Sequence, residues 1–446
     1  MSNKKDLKRE VGLMGLSANI INTIIGAGIF VLPAIVAAGL GSASIFAYLF
    51  CGFLIILLML CFAEVGSQIT DTGGVYTYIE KSFGKYPGFL TSILFLLATI
   101  SADAAIANAI ANIIAKMLPV FDEMYVRIPF FFILFSGLAY INIVGLKKGV
   151  AFVKILTMVK IVPLLLIIFL GFQDMTISNL YWESIPSIKD IGETSLILYF
   201  AFTGAGSALS ISGEVKKPNK IIPQAILLSI ILVLFIYILV QTVSQGVLGD
   251  SLALYKENPL GEVASKIFGP MGFVLLTIGA GVSMFGSLSS KILSVPRVLY
   301  AASKDEVLPV KFLASVHSKF TTPYVSIIVY ASLCFILASI GGFKQLAIIS
   351  SATSLLISLG IAVATIKLRR DKKGLSDPNS FRIPGGYTAP ILASLFIIWF
   401  LTYLSQKNIL VVAVFIAILS VFYFMINAKN LKKAQNNTRV KGINND

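Results

Sequence analysis

The sequence predicts an all-α polytopic membrane protein with about twelve transmembrane helices, and three observations predict it. Hydrophobic residues make up 57% of the 446 and charged ones 13%, where soluble domains carry roughly a quarter charged. Mean hydropathy is +0.89, concentrated in separate apolar runs longer than the roughly 18 residues that mark a spanning helix. Lysine and arginine, finally, gather on alternate connections between those runs. A transmembrane barrel would instead show short strands of alternating polarity.

The spans fall at 11–39, 41–69, 88–118, 127–146, 149–172, 192–213, 221–247, 268–300, 322–340, 345–367, 388–405 and 409–427. The first follows a basic tail (Lys4, Lys5, Lys8, Arg9), as a signal peptide would. It is too long for one and lacks a small-residue cleavage site, so it is expected to persist as a mature helix. With the N-terminus inside, about 26 of the 36 Lys and Arg lie in cytoplasmic tails and loops, against roughly seven outside. Lys216-Lys217, Arg369-Arg370 and Lys432-Lys433 are among them. This positive-inside pattern places both termini in the cytoplasm and accounts for the +15 net charge without a nucleic-acid partner. Compact length and short outer loops suit a prokaryotic cell membrane, with lipid as the surrounding partner.

Enzyme classes find little support. Cys51, Cys61 and Cys334 lie within spans without metal-ligand spacing, and the single histidine, His317, sits in a polar loop. There is no nucleophile–base set, phosphate loop or zinc motif, so no cofactor and no metal is expected.

Two places carry a sharper signal. Gly26-Ala27-Gly28 interrupts the first span and Gly204-Ala205-Gly206 the sixth, although each glycine costs about 1 kcal/mol against alanine in a helix. Spans five apart have opposite orientations, and matching interruptions in two such halves point to a transporter binding site. Backbone leaves the helix at membrane depth only where it lines a cavity or is buried in protein. Beyond the first break an outward-running half-helix begins, so the N–H groups of Ala27 and Gly28 suit a carboxylate. Before the second break an inward-running half-helix ends, and carbonyls from Phe200 to Thr203 suit an ammonium. Together they describe the backbone of an α-amino acid. A packing role competes with this reading, because Gly279-Ala280-Gly281 repeats the triplet and small residues let helices approach closely.

The flanks resemble the amino acid–polyamine–organocation superfamily of amino-acid permeases, which share the LeuT fold. The stretches that carry the likeness are Ile25 to Phe30 with Pro33, "AEVGSQITDTGGVYTYIEKSFG" (Ala63 to Gly84), "FAFTGAGSALSISGEVKKPNKIIPQAI" (Phe200 to Ile226) and "VPRVLYAASKDEVLP" (Val295 to Pro309). "FRIPGG" (Phe381 to Gly386) adds a weaker fifth. The resemblance implies a 5+5 inverted repeat, 11–172 and 192–367, with two extra helices at 388–427 and cytoplasmic tails at 1–10 and 428–446. It implies that the substrate carboxylate meets Ala27 and Gly28 beside Gly26, and that the amino group meets carbonyls near Ile24, Phe200 and Thr203, where Gly204 opens the second break. The Phe200 ring is the implied lid. Many members carry an acidic or amide residue where this chain has Gly206, which argues against a polyamine carrier on their pattern.

Ionisable residues deep in spans are functional candidates because they are costly there. Lys160 lies about 16 Å into the fifth span at 1.5 Å per residue, whereas Lys154 is close enough to the cytoplasm to snorkel. By resemblance the Lys160 ammonium replaces the ion that sodium-coupled relatives hold between helices 1 and 8. It is either a fixed strut or a proton carrier. Asp103, in mid-span 3, and Lys291, in span 8, either neutralise each other across the pocket, read a substrate side chain, relay a proton or form a purely structural pair. Glu64 and Glu214 fit helix-end or inner-gate anchors. The expected function is sodium-independent secondary transport of an amino acid by alternating access, with proton-coupled symport as the leading mode, amino-acid exchange as the alternative, and a non-transporting amino-acid sensor as the further one.

Overall fold

Helix breakers and caps partition the chain in the computed structural model, which describes residues 11–69, 74–144, 150–182, 185–208, 215–308, 310–371, 381–406, 409–410, 412–414 and 416–425. The tails expected at 1–10 and 428–446, Glu214, and the side chain of Lys154 lie outside the described residues. No β-strand occurs among those described, and the fold is all-α.

The first span is two helices, α1 (Leu13–Ile24) and α2 (Gly28–Leu40). Next come α3 (Ile45–Gln68), the short α4 (Val75–Phe83), α5 (Lys85–Met117), α6 (Met124–Val144) and α7 (Val150–Gly171). The sixth span is again divided, into α8 (Ile188–Leu198), a 3₁₀ turn (Tyr199–Phe202) and α9 (Ala205–Ala208). Then follow α10 (Pro218–Leu248), α11 (Pro259–Phe268), α12 (Pro270–Lys304), α13 (Tyr324–Ile340), α14 (Phe343–Arg370) and α15 (Thr388–Thr402). Six stretches are long and apolar enough to cross a membrane, and shorter apolar helices, Val412–Met425 among them, accompany these.

Local chemistry sets the ends. The Asn258 side chain accepts from Gly261 N at 3.2 Å and caps α11, with Pro259 at its first position. Gly269, at φ +71°, then turns the chain into Pro270 at the start of α12. The amphipathic α4 and α11 stand outside the expected spans, because neither has the length to cross hydrocarbon. The third glycine triplet sits in uninterrupted α12, where a Cβ on Gly279 would lie 3.3 Å from Pro163 on α7. That copy serves helix packing.

The chain shuttles between two ends of the bundle. One holds Val11, α4 and the C-terminal ends of α3, α12 and α14, and is called the α4 end below. The other holds the α2 C-terminus and the start of α8. In the core α3 packs along α10, α5 along α14 and α12, α6 along α13, and α1 along α10 and α7.

Candidate functional site

Both breaks lie where the glycine doublets predict them, and they pack against each other. Ile25 is extended (φ −70°, ψ 94°) and α2 begins at Gly28. Among the described residues the amides of Gly26, Ala27 and Gly28 donate no backbone hydrogen bond, so the positive end of α2 is bare there. Across from it Thr203 is extended (ψ 155°) and Gly204 adopts φ +113°. A Cβ on Gly204 would stand 2.6 Å from the Thr23 carbonyl oxygen, and one on Gly28 would stand 2.6 Å from Ala201 Cα. The glycines therefore do two jobs at once: they release the helix and let the two released segments touch.

The carbonyls expected to face an ammonium are partly occupied. Phe200 O accepts from Thr203 N at 3.2 Å and from Thr203 Oγ1 at 2.8 Å. Tyr237, on α10, donates to Ala201 O at 3.1 Å and approaches Ile24 O at 3.5 Å. Tyr237 stitches the two breaks together and is absent from the sequence-derived set. Its one sequence signal is a hydroxyl amid a run of apolar residues, which must find a partner when buried.

Lys160 is buried to 1% exposure, and its Nζ donates to Asn22 O at 2.9 Å, Ile25 O at 3.0 Å and Ser287 Oγ at 3.1 Å. Those acceptors satisfy all three ammonium protons. The lysine thus ties α7 to the carbonyls released by the first break and to α12. Asn22 reaches α12 a second time through Nδ2 to Ser290 Oγ at 3.1 Å.

Asp103 and Lys291 do meet. Lys291 Nζ lies 3.1 Å from Asp103 Oδ1, with 4% and 0% exposure for the two residues. Tyr330, on α13, donates to Asp103 Oδ2 at 2.8 Å. A cavity of about 60 Å³ lies beside them, bounded by the second break from Thr203 to Gly206 and by Thr99, Ser350 and Ser358. Lys291 lines it. On the far side of the breaks a much larger open cavity of about 1310 Å³ is lined by α2, α8 and Phe343. Phe200 stacks edge-on against Phe343, centroids 5.6 Å apart, and Phe343 lines that opening.

The α4 end is cross-linked. Lys216 N donates to Val11 O at 2.9 Å, holding the start of α1 to the chain beyond α9. Arg369 pairs with Glu64 (Nε to Oε1, 2.6 Å), and Glu64 Oε2 accepts from Ile383 N at 2.8 Å. Arg369 also donates to the carbonyls of Ile383 and Gly386. Glu64 is therefore a helix-end anchor that binds the "FRIPGG" stretch, and Ser67 holds Phe381 beside it, accepting its N–H at 3.1 Å. Tyr76 on α4 donates to Asp305 Oδ2 at 3.4 Å. Burial pushes that phenol up to about 12, so it keeps its proton and stays a donor at neutral pH.

Residues 11–438 match the family model for amino acid permeases. The chain is similar to the serine/threonine exchanger SteT of Bacillus subtilis (strain 168), at 32% identity across 87% of this chain and 89% of that protein. It is similar to the branched-chain amino acid permease BcaP of the same organism, at 25% identity over 97% of this chain and 96% of that protein. A third likeness is to the Large neutral amino acids transporter small subunit 2 of Homo sapiens, 27% identical over 71% of this chain and 62% of that protein.

Proposed function

The chain belongs to the amino acid permease family, and from that premise we propose that it is a sodium-independent secondary carrier of an α-amino acid in the cell membrane. The observation that carries this reading is the pair of abutting helix breaks with Lys160 wedged beside them. The bare amides of Gly26, Ala27 and Gly28 would take the carboxylate, and the carbonyls of the second break near Thr203 the amino group. Phe200 would close over the substrate from the wider cavity. The α4 end would face the cytoplasm, with both termini, as the basic residues require. Twelve crossings and a 5+5 inverted repeat complete the proposal. The packing of α3 on α10, α5 on α12 and α6 on α13 supports the repeat, because each pairs a helix of one half with its counterpart in the other.

Lys160 separates the two modes of transport. Proton symport requires its ammonium to release a proton during the cycle. Its three acceptors favour a fixed charge instead, standing where a coupling cation would sit. That favours amino-acid exchange, and the relative named as an exchanger agrees.

Uptake of radiolabelled amino acids into proteoliposomes without sodium tests both levels. Uptake into loaded vesicles alone, indifferent to a pH gradient, is the expected result. Accumulation in empty vesicles driven by a pH gradient, and lost in Lys160→Ala, would establish symport. Absence of any amino-acid flux would refute the carrier itself.

A further inference from the structure

An apolar groove of about 550 Å³ runs between α5, α6 and α12, and no residue of either helix break lines it. Thr277 is its one polar lining residue among those described, and that hydroxyl is already engaged. It donates to Phe273 O at 2.6 Å and accepts from Asn258 Nδ2 at 2.8 Å. Nothing polar in the wall is left to recognise a soluble ligand. Gly137 on α6 widens the groove, since a Cβ there would meet nothing within 4 Å. One side is open: Ile133 on α6 and Ile278, Val282 and Phe285 on α12 line the groove and are exposed. On spanning helices such residues face hydrocarbon, so the groove is continuous with the lipid surface.

Its length matches one leaflet. From Phe130 to Ile141, both in the wall, α6 rises about 16 Å at 1.5 Å per residue. Half of a hydrocarbon core about 30 Å thick is about 15 Å. A partner helix about 10 Å across would enter only in part, because that length of helix takes about twice the groove's volume. A cation stands at the end of the groove away from α4. Phe130 stacks on Phe121, centroids 5.5 Å apart, and the Phe121 carbonyl accepts from Arg127 Nε. Asp122 reaches Arg127 Nη2 only at 3.5 Å and is itself largely exposed, so the guanidinium has donors to offer an anion.

We infer that this groove binds one acyl tail of a phospholipid from the leaflet away from the α4 end, with Arg127 donating to the lipid phosphate. The cation selects a phospholipid over a sterol, which carries no anion. Phe285 and Ser287 lie about 200° apart around α12, so the tail fills the side opposite the one that holds Lys160. The inference needs only that the protein spans a membrane, and a failure to carry amino acids would leave it standing.

The full-length protein in mild detergent would be titrated with dioleoyl phosphatidylglycerol and followed by thermal unfolding and native mass spectrometry. The wild type is expected to retain one lipid and to unfold at a higher temperature as lipid is added. Gly137→Phe puts a ring into the groove. It should raise the lipid concentration for half the thermal shift by at least about tenfold, because displacing two buried methylenes removes that much affinity. Val282→Phe acts from the facing wall and stands in if Gly137→Phe does not fold. Oleyl phosphate should stabilise the wild type more than oleyl alcohol does, and Arg127→Gln should remove that difference while the alcohol still acts. An equal lipid response in the wild type and both groove variants overturns the site. So does a wild type that answers to cholesteryl hemisuccinate and not to the phospholipid, or one that dimerises through this face until Gly137→Phe separates it. Equal responses of the wild type to the phosphate and the alcohol overturn the role of Arg127.

Discussion

Lys160 and Lys291 are both buried ammonium groups on spanning helices, and the fold treats them in opposite ways. Lys160 has no carboxylate partner among the described residues and is held by two backbone carbonyls and a serine hydroxyl. Lys291 is held instead by a carboxylate, Asp103, at 3.1 Å, whose other oxygen accepts from Tyr330. Both are costly to place in hydrocarbon. The first is stabilised by peptide dipoles that exist only because α1 stops at Ile24, so its charge is part of how the break is built. The second is stabilised by the carboxylate of another side chain. A charge held by backbone carbonyls suits a strut, whereas a charge held by one carboxylate stands or falls with that partner.

Removing the strut should have the largest effect. Lys160→Met leaves Asn22 O and Ile25 O without their donor, and each buried acceptor so stranded costs about 1–3 kcal/mol. Amino-acid uptake should fall by about 100-fold or more, and no second-site change should restore it, because the acceptors are backbone. Recovery of uptake in a double variant with Ser287→Ala would break the contrast.

Gly204→Ala attacks the same network from the opposite break. The added Cβ would press on Thr23 O from 2.6 Å, at a backbone angle that L-residues rarely adopt. A loss of uptake of more than about tenfold is expected from strain of about 1–3 kcal/mol, with the protein still eluting as a single species in detergent.

The pair at Asp103 should behave as a unit. Breaking it by Asp103→Asn or Lys291→Met alone is expected to lower stability in detergent by about 3–5 kcal/mol, whereas the two together recover most of that. A thermal-unfolding double-mutant cycle measures the coupling. Additive losses would show that the two charges do not depend on each other.

Single hydroxyls sharpen the comparison further. Tyr330→Phe removes a bond to a charged acceptor, worth about 1.5–3 kcal/mol. Ser287→Ala should cost less in the same thermal assay, because two carbonyls still hold Lys160. The smallest change should be Gly281→Ala, which meets nothing within 4 Å and touches neither lysine. It should leave uptake unchanged and raise stability by about 0.4–1 kcal/mol, through the entropy of the unfolded chain.

Much of this was legible beforehand. The breaks were readable because glycine doublets inside apolar runs are local anomalies, and Lys160 because its depth in a span follows from counting residues. The third triplet could not be distinguished from the first two by sequence. Only its neighbours, Pro163 on α7 against the backbone facing Gly28 and Gly204, separate packing from unwinding. Tyr237 and Tyr330 carry no distinguishing signal in the sequence for the same reason. A tyrosine in an apolar helix has no local mark that says whom its hydroxyl meets.

The amino-acid sequence by itself determined the membrane class and the two places where helix fails. Apolar length and glycine's conformational freedom are properties of a few adjacent residues. The tertiary structure alone decided what each buried polar group does. Lys160 finds Asn22 across 138 positions and Ser287 across 127, and Asp103 finds Tyr330 across 227. In a medium without water each such group must take a partner from another helix, and which helix lies alongside is settled only when the whole bundle has packed.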